Sequence, residues 1–510
     1  MPSYLSPGVY IEEMESGSRP IEGVGTSVAA FIGFAERGPV NEPVLITNWS
    51  QFTTTFGDFV EGTYLASAVY GFFANGGGIC YIVRIGARSA ADGTDAVEAT
   101  AQAQLGAYVV RALPGVTGDI TVEIGDPEGE SPPQEAFRLV VRRDGEAVET
   151  YPAVTARKGK DNAATQVNAR SRVVNLEETA ARGAAAARPA AQTVALAPPP
   201  GAGGALAAPT AEDYVGDADQ RTGFSGLEAV DEVTMVAVPD LMSAYENGAI
   251  DLDTVAAVQQ ALITHCELMG DRIAILDPPP ALSPQQLRTW RTDTAGFDSK
   301  YAALYYPWIR VLDPSTGRNV TIPPSGHMAG VWARNDDTRG VHKAPANEVV
   351  RGAVALATAL TKGEHDLLNP IGVNCIRAFP GRGIRVWGAR TLSGDAAWRY
   401  LNVRRLFNYL EESILSGTQW VVFEPNDDAL WARVRRTISA FLVNEWRKGA
   451  LFGLTPDEAF YVKCDRETNP PESIDAGQVV CEIGIAPVKP AEFVVFRLAQ
   501  LSGGTGGIDE

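Results

Sequence analysis

Cysteine is scarce and scattered: Cys80, Cys266, Cys375, Cys464 and Cys481 are the only five in 510 residues, with no CxxC and no close pair. That count and spacing argue against a disulfide framework and a paired-cysteine zinc site, and fit a reducing folding compartment. The four histidines are too few and too dispersed for an evident metal centre. Basic charge is also short. Lys and Arg number 43 against 62 Asp and Glu, a net charge of −19, which argues against a general nucleic-acid binder or a polybasic membrane surface. Only eight of the basic residues are Lys. With the abundance of Ala, Gly and Pro, that imbalance reads as GC-rich coding rather than a functional signal.

The opening MPSYLSPGVYIEE has no basic n-region and no apolar h-region, so no signal peptide is expected. Gly62 to Val83 runs 22 residues without a charge, close to the ~20 apolar residues of a spanning helix. It contains Ser67, three tyrosines, Asn75 and Gly76-Gly77-Gly78, which would break or wet such a helix. It reads instead as a helix (Tyr64 to Ala74), a glycine turn and a buried strand (Ile79 to Ile85). With 45% apolar and 21% charged residues the chain can bury a sizeable core, so wholesale disorder and a collagen-like repeat are excluded. The length suggests roughly three domains.

Turn residues crowd the first 25 positions around one strand-like run, Val9 to Glu12, which resembles an arm more than a packed element. Ser27 to Phe34 is a strand, and Asn48 an N-cap for a short helix with Trp49 and Phe52 that ends near Gly57. Between Ala90 and Tyr214 period-two strands such as Asp119 to Ile124 and Phe137 to Arg142 dominate. The Ala/Pro-rich tract Thr179 to Pro209 cannot build a core. The segment looks like an inserted β-rich domain.

Strand–helix alternation then resumes, with strands at Glu232 to Val238 and Arg272 to Leu276 and helices at Leu252 to Met269 and Pro284 to Thr294. Ala302 to Val311 reads as one strand and Asn347 to Thr361 as a long helix. Val373 to Ala378 and Ile384 to Trp387 are further strands. The pattern argues for an α/β layer with a largely parallel sheet. Helices at Ala397 to Leu415 and Asp428 to Lys448 and strands at Gln478 to Ile485 and Glu492 to Leu498 form a further small domain.

Chemistry is thinly represented. Ser325, His327 and Asp336 lie close in sequence, but there is no GxSxG elbow, and Ser325 follows two prolines rather than sitting on a strand-to-helix turn. Cys266, beside His265 and Glu267, reads as a small buried hydrophobe. The GxG of Gly381 to Gly383 precedes a strand, not the helix that a phosphate cradle needs. Asp336-Asp337 lacks a spaced third carboxylate, so the pair reads as surface or cap residues. No active site, metal site or cofactor is expected.

Assembly is better represented. At 100° per residue, Leu430, Trp431, Val434, Ile438, Phe441 and Leu442 cover an arc of about 120° on the Asp428 to Lys448 helix. Arg433, Arg436 and Arg447 fall within about 60° on another face, with Lys448 at the helix end. In so acidic a chain this basic stripe is a candidate contact for an acidic partner, set against an ordinary solvated face. Val9 to Glu12 and Glu492 to Leu498 are strand-prone runs on Pro/Gly-rich tethers. Such runs suit strand donation to a neighbour, unless both fold back on their own domain.

These residues also carry a resemblance. YLSPGVYIEE (Tyr4 to Glu13), LASAVYGFFANGGGICYIVRI (Leu65 to Ile85), PPSGHMAGVWARNDDTRGVHKAPANE (Pro323 to Glu348), LNPIGVNCIRAFPGRGIRVWGARTL (Leu368 to Leu392) and PVKPAEFVVFRL (Pro487 to Leu498), after Asn469-Pro470-Pro471, stand in the family's order. Together they resemble the contractile tail sheath proteins of phages, R-type pyocins and extracellular contractile injection systems. Ala90 to Tyr214 carries none of these blocks, and the outer domains of such proteins vary widely.

The resemblance implies an α/β fold of subtilisin-like topology without a triad, an inserted β-rich outer domain, a small α+β inner C-terminal domain and extended N- and C-terminal arms. The expected layout is an arm over 1–25, a core over 26–88 plus 222–392, an insert over 89–221 with a disordered tract at 179–209, an inner domain over 393–486 and an arm and tail over 487–510. The resemblance also implies a non-enzymatic subunit that polymerises with itself as stacked hexameric rings around an inner tube protein. Baseplate and terminal cap proteins are further partners, with no nucleic acid and no direct membrane insertion. Assembly is expected in the bacterial cytoplasm, as part of a phage tail or a tail-like particle. Contraction would drive the tube through a target envelope. Arg433, Arg436, Arg447 and Lys448 become tube-contact candidates. Val9, Tyr10, Ile11, Glu12, Val479, Val480, Glu482, Ile483, Glu492, Phe493, Val494, Val495 and Phe496 become candidates for strand exchange. A subtilisin-like or esterase-like hydrolase, and a static shell or surface-layer protein, are the alternatives.

Overall fold

A computed structural model describes residues 20–86, 102–105, 108–113, 120–127, 135–143, 145–157, 159–171, 173–178, 190–196 and 209–497. The Val9 to Glu12 run, Leu498 and most of the Ala/Pro tract lie outside them.

Eight strands form the central sheet: β1 (Val28–Gly33), β2 (Val44–Ile46), β3 (Ile79–Arg84), β4 (Met235–Ala237), β5 (Ile273–Leu276), β6 (Ala302–Tyr306), β7 (Val373–Phe379) and β8 (Gly383–Val386). Their order is β8-β7-β6-β5-β4-β1-β3-β2. The six inner strands pair in parallel, and only the edge strands β2 and β8 run antiparallel. A parallel sheet is covered on both faces, which explains strands such as Val-Ala-Ala-Phe-Ile that are apolar throughout. Ala30, Ile32 and Val83 point into one core, while Ala29, Phe31 and Ile82 point into the other, following the two-residue strand period.

The second core is closed by two helices, Leu65–Asn75 and Ser325–Arg339. Small residues let their backbones approach. A Cβ on Gly326 would lie 2.4 Å from the Ala68 backbone, and one on Gly330 would lie 2.4 Å from the Phe72 carbonyl. The Ser325–Arg339 helix was not legible in the sequence. Its two glycines are poor helix formers, and burial on nearly every side of its first three turns leaves no polar face to mark it.

Two expected elements are corrected. Ala302 to Val311 is not one strand: Ala302–Tyr306 ends in the central sheet, and Pro307-Trp308 separates it from Ile309–Leu312. Ile309–Leu312 instead joins a separate three-stranded sheet with Asn319–Ile322 and Ala353–Leu356. The helix expected over Asn347 to Thr361 is absent. Asn347 and Gly352 adopt positive φ of 60° and 82°, and Ala353–Leu356 pairs with Ile309–Val311. Other boundaries contract to Met235–Ala237, Leu401–Gly417 and Glu482–Ile485. The last is shortened because the Asn469 side chain takes both the Val480 N–H and the Val480 carbonyl.

The described residues between 102 and 196 form two antiparallel sheets. One is three-stranded and includes Tyr108–Ala112; the other is four-stranded around Ile120–Gly125 and Ala136–Arg143. They share a core of their own, together with a helix, Ala163–Arg170. Ala211–Val215 is a short helix whose Tyr214 packs in the first core of the central sheet.

Toward the C-terminus, helices Leu401–Gly417 and Asp428–Arg447 and the hairpin Phe460–Lys463/Glu482–Ile485 enclose a fourth core. Residues 20–25, expected as part of a free arm, pack along the first of these helices. Ile21 is buried against Gly417, and the Val24 N–H donates to Ser413 Oγ at 3.1 Å.

Candidate assembly surfaces

The places where an enzyme of this architecture would work are filled by the chain itself. In open α/β sheets, ligands bind beyond the carboxyl ends of the strands where the strand order reverses, here between β1 and β4. Asp240 occupies that point. Its Oδ2 accepts the Phe34 N–H at 2.7 Å and its Oδ1 accepts the Tyr64 N–H at the start of a helix. Burial pushes its carboxyl up to about 7, against the pull of those backbone bonds. A Cβ on Gly33 would lie 2.3 Å from Asp240 Oδ2, so the carboxylate packs directly against β1. One strand along, Asp277 follows β5 and accepts the Ser325 N–H at 2.9 Å. Its carboxyl is likewise raised by burial to about 7.

Ser325 therefore does begin a helix just after a strand, contrary to the sequence expectation, but it is fully buried. His327 is buried against Gly71, and desolvation lowers its imidazole to about 4. Asp336 is not a surface residue. Its carboxylate accepts two bonds from Arg405, at 2.9 and 2.5 Å, and one from Thr26 Oγ1 at 2.7 Å. Arg405 in turn lies over the Trp332 ring and donates to the Thr26 carbonyl. Ser325, His327 and Asp336 thus serve three separate packing tasks. Cys266 is buried and burial raises its thiol. Gly381 and Gly383 flank the turn between β7 and β8. Among the described residues no group of acidic, His and Cys side chains could hold a metal, and no helix is long and apolar enough to cross a membrane.

On the Asp428–Arg447 helix the expected apolar arc is buried: Leu430, Trp431, Val434, Ile438, Phe441 and Leu442 all lie in the core. Asp427 caps it, accepting the Leu430 N–H at 2.8 Å. The basic candidates differ among themselves. Arg433 lies 4.8 Å from the Trp420 ring centre and 3.4 Å from Glu424. Lys448 pairs with the buried Glu445 at 2.7 Å. Arg436 and Arg447 are exposed and form no ion pair among the described residues. Arg435, not singled out by the sequence, donates to the Cys464 carbonyl at 2.8 Å.

Of the strand-exchange candidates, Glu482 and Ile483 lie in the Phe460–Lys463/Glu482–Ile485 hairpin, paired with Lys463 and Val462. Val479 packs against the C-terminal core and Val480 is tied to Asn469. Residues 491–497 form no strand within their own chain. Phe493, Val494, Val495 and Phe496 are 73%, 69%, 76% and 85% exposed, whereas Glu492 is held by Arg390 at 2.6 Å. Val9, Tyr10, Ile11 and Glu12 lie outside the described residues. The sequence reading missed further exposed apolar side chains on the C-terminal part: Phe423 (at φ 67°), Phe452, Leu454 and Tyr461. Phe423, Phe452 and Leu454 stand singly outside helices and strands and Tyr461 in a four-residue strand, so no periodic signal would have marked them.

Comparison with known proteins gives consistent matches. The family described as phage tail sheath protein central domain matches residues 207–392, and phage tail sheath C-terminal domain matches 393–500. The tail sheath protein of Vibrio phage KVP40 is 26% identical over 320 residues, covering 57% of this chain and 47% of that protein. The chain thus spans about half the length of that relative. The tail sheath protein of Burkholderia phage BcepMu is 24% identical over 515 residues, 96% of this chain and 95% of that protein. Among solved structures, the anti-feeding prophage helical sheath in its contracted state is 24% identical with a TM-score of 0.60, covering 97% of this chain and 99% of that one. The sheath complex of the extracellular contractile injection system PVC, also contracted, is 23% identical with a TM-score of 0.57, covering 98% and 99%.

Proposed function

The chain belongs to the phage tail sheath protein family, and on that premise we propose that it is the structural subunit of a contractile sheath, polymerising as stacked hexameric rings around an inner tube. The observation that carries this reading is the pairing of two features. The ligand position of the sheet is filled by Asp240, while Phe493 to Phe496 stand exposed in the isolated chain. A fold with a buried carboxylate at its ligand position and an exposed apolar segment outside its own core is suited to binding copies of itself.

In this reading the central sheet is the subtilisin-like core without a triad, covering 26–88 and 222–392. The part over 89–221 faces outward, and 393–486 faces the tube. The arms over 1–25 and 487–510 add strands to hairpins of neighbouring subunits, with Val9 to Glu12 and Phe493 to Phe496 as donors. Glu482 and Ile483 lie in the accepting sheet, reached through Val479 and Val480. Baseplate and cap proteins close the ends, assembly takes place in the bacterial cytoplasm, and no catalysis is required. Arg436 and Arg447 are the free cations for an acidic tube surface. Arg433 and Lys448 would first have to exchange Glu424 and Glu445. Exposed ion pairs contribute only about 0.2–1 kcal/mol each, which suits a contact that must break when the sheath widens.

Reversing the charge of Arg433, Arg436 and Arg447 together tests the tube contact. Tube-filled extended particles should be lost while tube-free polymer still forms; extended particles at the normal frequency would overturn it. Deleting Met1 to Gly17 tests the weave. A folded monomer that cannot polymerise is expected, and a normal polymer would contradict the reading.

A further inference from the structure

Four donors from three separate segments converge on one carboxylate near the C-terminus. Glu492 Oε1 accepts from Arg390 Nε at 2.8 Å and from Asn369 Nδ2 at 2.9 Å. Its Oε2 accepts from Arg390 Nη2 at 2.6 Å and from the Tyr400 hydroxyl at 3.2 Å. The Arg390–Glu492 pair is therefore bidentate, the strongest side-chain geometry for ion pairing, and it is largely shielded, with the two side chains 10% and 19% exposed.

Arg390 is itself fixed from behind. Its N–H donates to Asn374 Oδ1 at 2.7 Å, its carbonyl accepts from Asn374 Nδ2 at 2.8 Å, and its Nη1 donates to the Asn369 carbonyl at 3.1 Å. Asn374 belongs to β7, so the clasp is rooted in the central sheet. One residue beyond Glu492 the packing stops: Phe493 to Phe496 bury little in their own chain.

We propose that Arg390 and Glu492 form a clasp that fixes where the C-terminal segment leaves its own subunit, and so presents Phe493 to Phe496 to the hairpin edge of a second copy. Glu492 is a positioning residue, and strand donation begins at Phe493. This rests on the reading above that the arm adds a strand to a neighbour. The partner is committed to be a second copy because the chain carries both halves of the contact. One is the exposed apolar segment Phe493 to Phe496; the other is a two-stranded sheet, Phe460–Lys463/Glu482–Ile485, bearing the exposed Tyr461. A clasp at the root shortens the free tether to almost nothing, which limits the orientations the strand samples before docking. Its rooting in β7 links the donated strand to the central sheet rather than to a loose tail.

The test compares three variants with the parent: full-chain Glu492→Gln and Arg390→Ala, and a truncation that ends at Glu492. Polymer formation is followed by sedimentation and electron microscopy, and thermal unfolding of the unpolymerised subunit is measured in parallel. Glu492→Gln keeps one carbonyl acceptor on the Asn369 side, turns an N–H donor toward Tyr400 and loses the charge that Arg390 pairs with, so the subunit should melt somewhat below the parent. Its concentration threshold for polymer should rise by about tenfold or more, the effect of losing ~1.4 kcal/mol of preorganisation. Arg390→Ala should act in the same direction. If the truncation fails to polymerise while Glu492→Gln matches the parent threshold, the arm matters and the clasp is wrong. If the truncation itself polymerises normally, strand donation by this arm is wrong. A raised threshold accompanied by an equal loss of subunit stability would make Glu492 merely structural and would also overturn the proposal.

Discussion

Asp336 and Arg405 show how a residue's task depends on what packs on it. In sequence Asp336-Asp337 reads as a surface pair. In the fold the Asp336 and Arg405 side chains are 3% and 4% exposed and pair bidentately, joining Thr26, the Ser325–Arg339 helix and the Leu401–Gly417 helix. Removing one member of a buried pair strands the other charge, a loss of about 3–5 kcal/mol. Asp336→Ala should therefore lower the denaturation midpoint sharply, whereas Asp337→Ala, on the exposed side of the same helix, should leave it nearly unchanged.

The buried carboxyls make a second prediction. Asp277 is held up at about 7 by burial, while an unfolded-chain carboxyl titrates at about 4. The folded state thus binds that proton more tightly, so its contribution to stability is lost as pH rises from about 4 to 7. Asp277→Asn retains an Oδ1 acceptor for the Ser325 N–H without the titration. Its melting temperature should vary less across that window than the parent's. Parallel curves would contradict the assignment.

Elements were legible in proportion to how local their causes are. The helices Trp49–Phe56 and Leu252–Met269 carry side-chain caps at Asn48 and Asp251 and clear periodicity, and both follow from sequence. The strands of the parallel sheet were read from their continuous apolar runs. The Asn347 to Thr361 error arose because Val349, Val350, Val354 and Leu356 fit helical spacing, while positive φ at Asn347 and Gly352 is a tertiary choice. The Ser325–Arg339 helix is the reverse case, a helix held by its neighbour rather than by propensity. Its glycines test that cause. Gly→Ala in a helix normally stabilises by up to ~1 kcal/mol, but Gly330→Ala would drive a Cβ to 2.4 Å from the Phe72 carbonyl. It should destabilise by about 1–3 kcal/mol. Gly363→Ala, in the Lys362–Leu368 helix with open space around it, should be neutral or mildly stabilising in the same chemical denaturation assay.

At the scale of the whole molecule, the ordered blocks of family-like sequence pointed to the sheath proteins, whereas residues 492–497, read from sequence as part of a strand, form none within their own chain. The division of labour among the cations of the Asp428–Arg447 helix was not legible. It depends on Glu424, Trp420 and Glu445, which reach Arg433 and Lys448 only once the chain has folded. Nor were the contacts of Glu492, whose partners lie 92 to 123 positions away in the chain. The tract at 179–209, expected to be disordered, is corrected in part: Gln192–Ala195 within it forms a strand paired with Thr121–Ile124. The rest of its Ala/Pro-rich sequence is short of the large apolar side chains that offset ordering entropy. Limited proteolysis of assembled polymer should cut there first, and earlier cutting at the termini would count against an outward-facing insert. The most direct measurement is electron microscopy with helical reconstruction of the purified full-length chain. The account predicts hollow cylinders of stacked six-subunit rings in which density for Phe493 to Phe496 of one subunit continues the Phe460–Lys463/Glu482–Ile485 hairpin of another. Monomers at all concentrations, flat arrays or closed shells would contradict it.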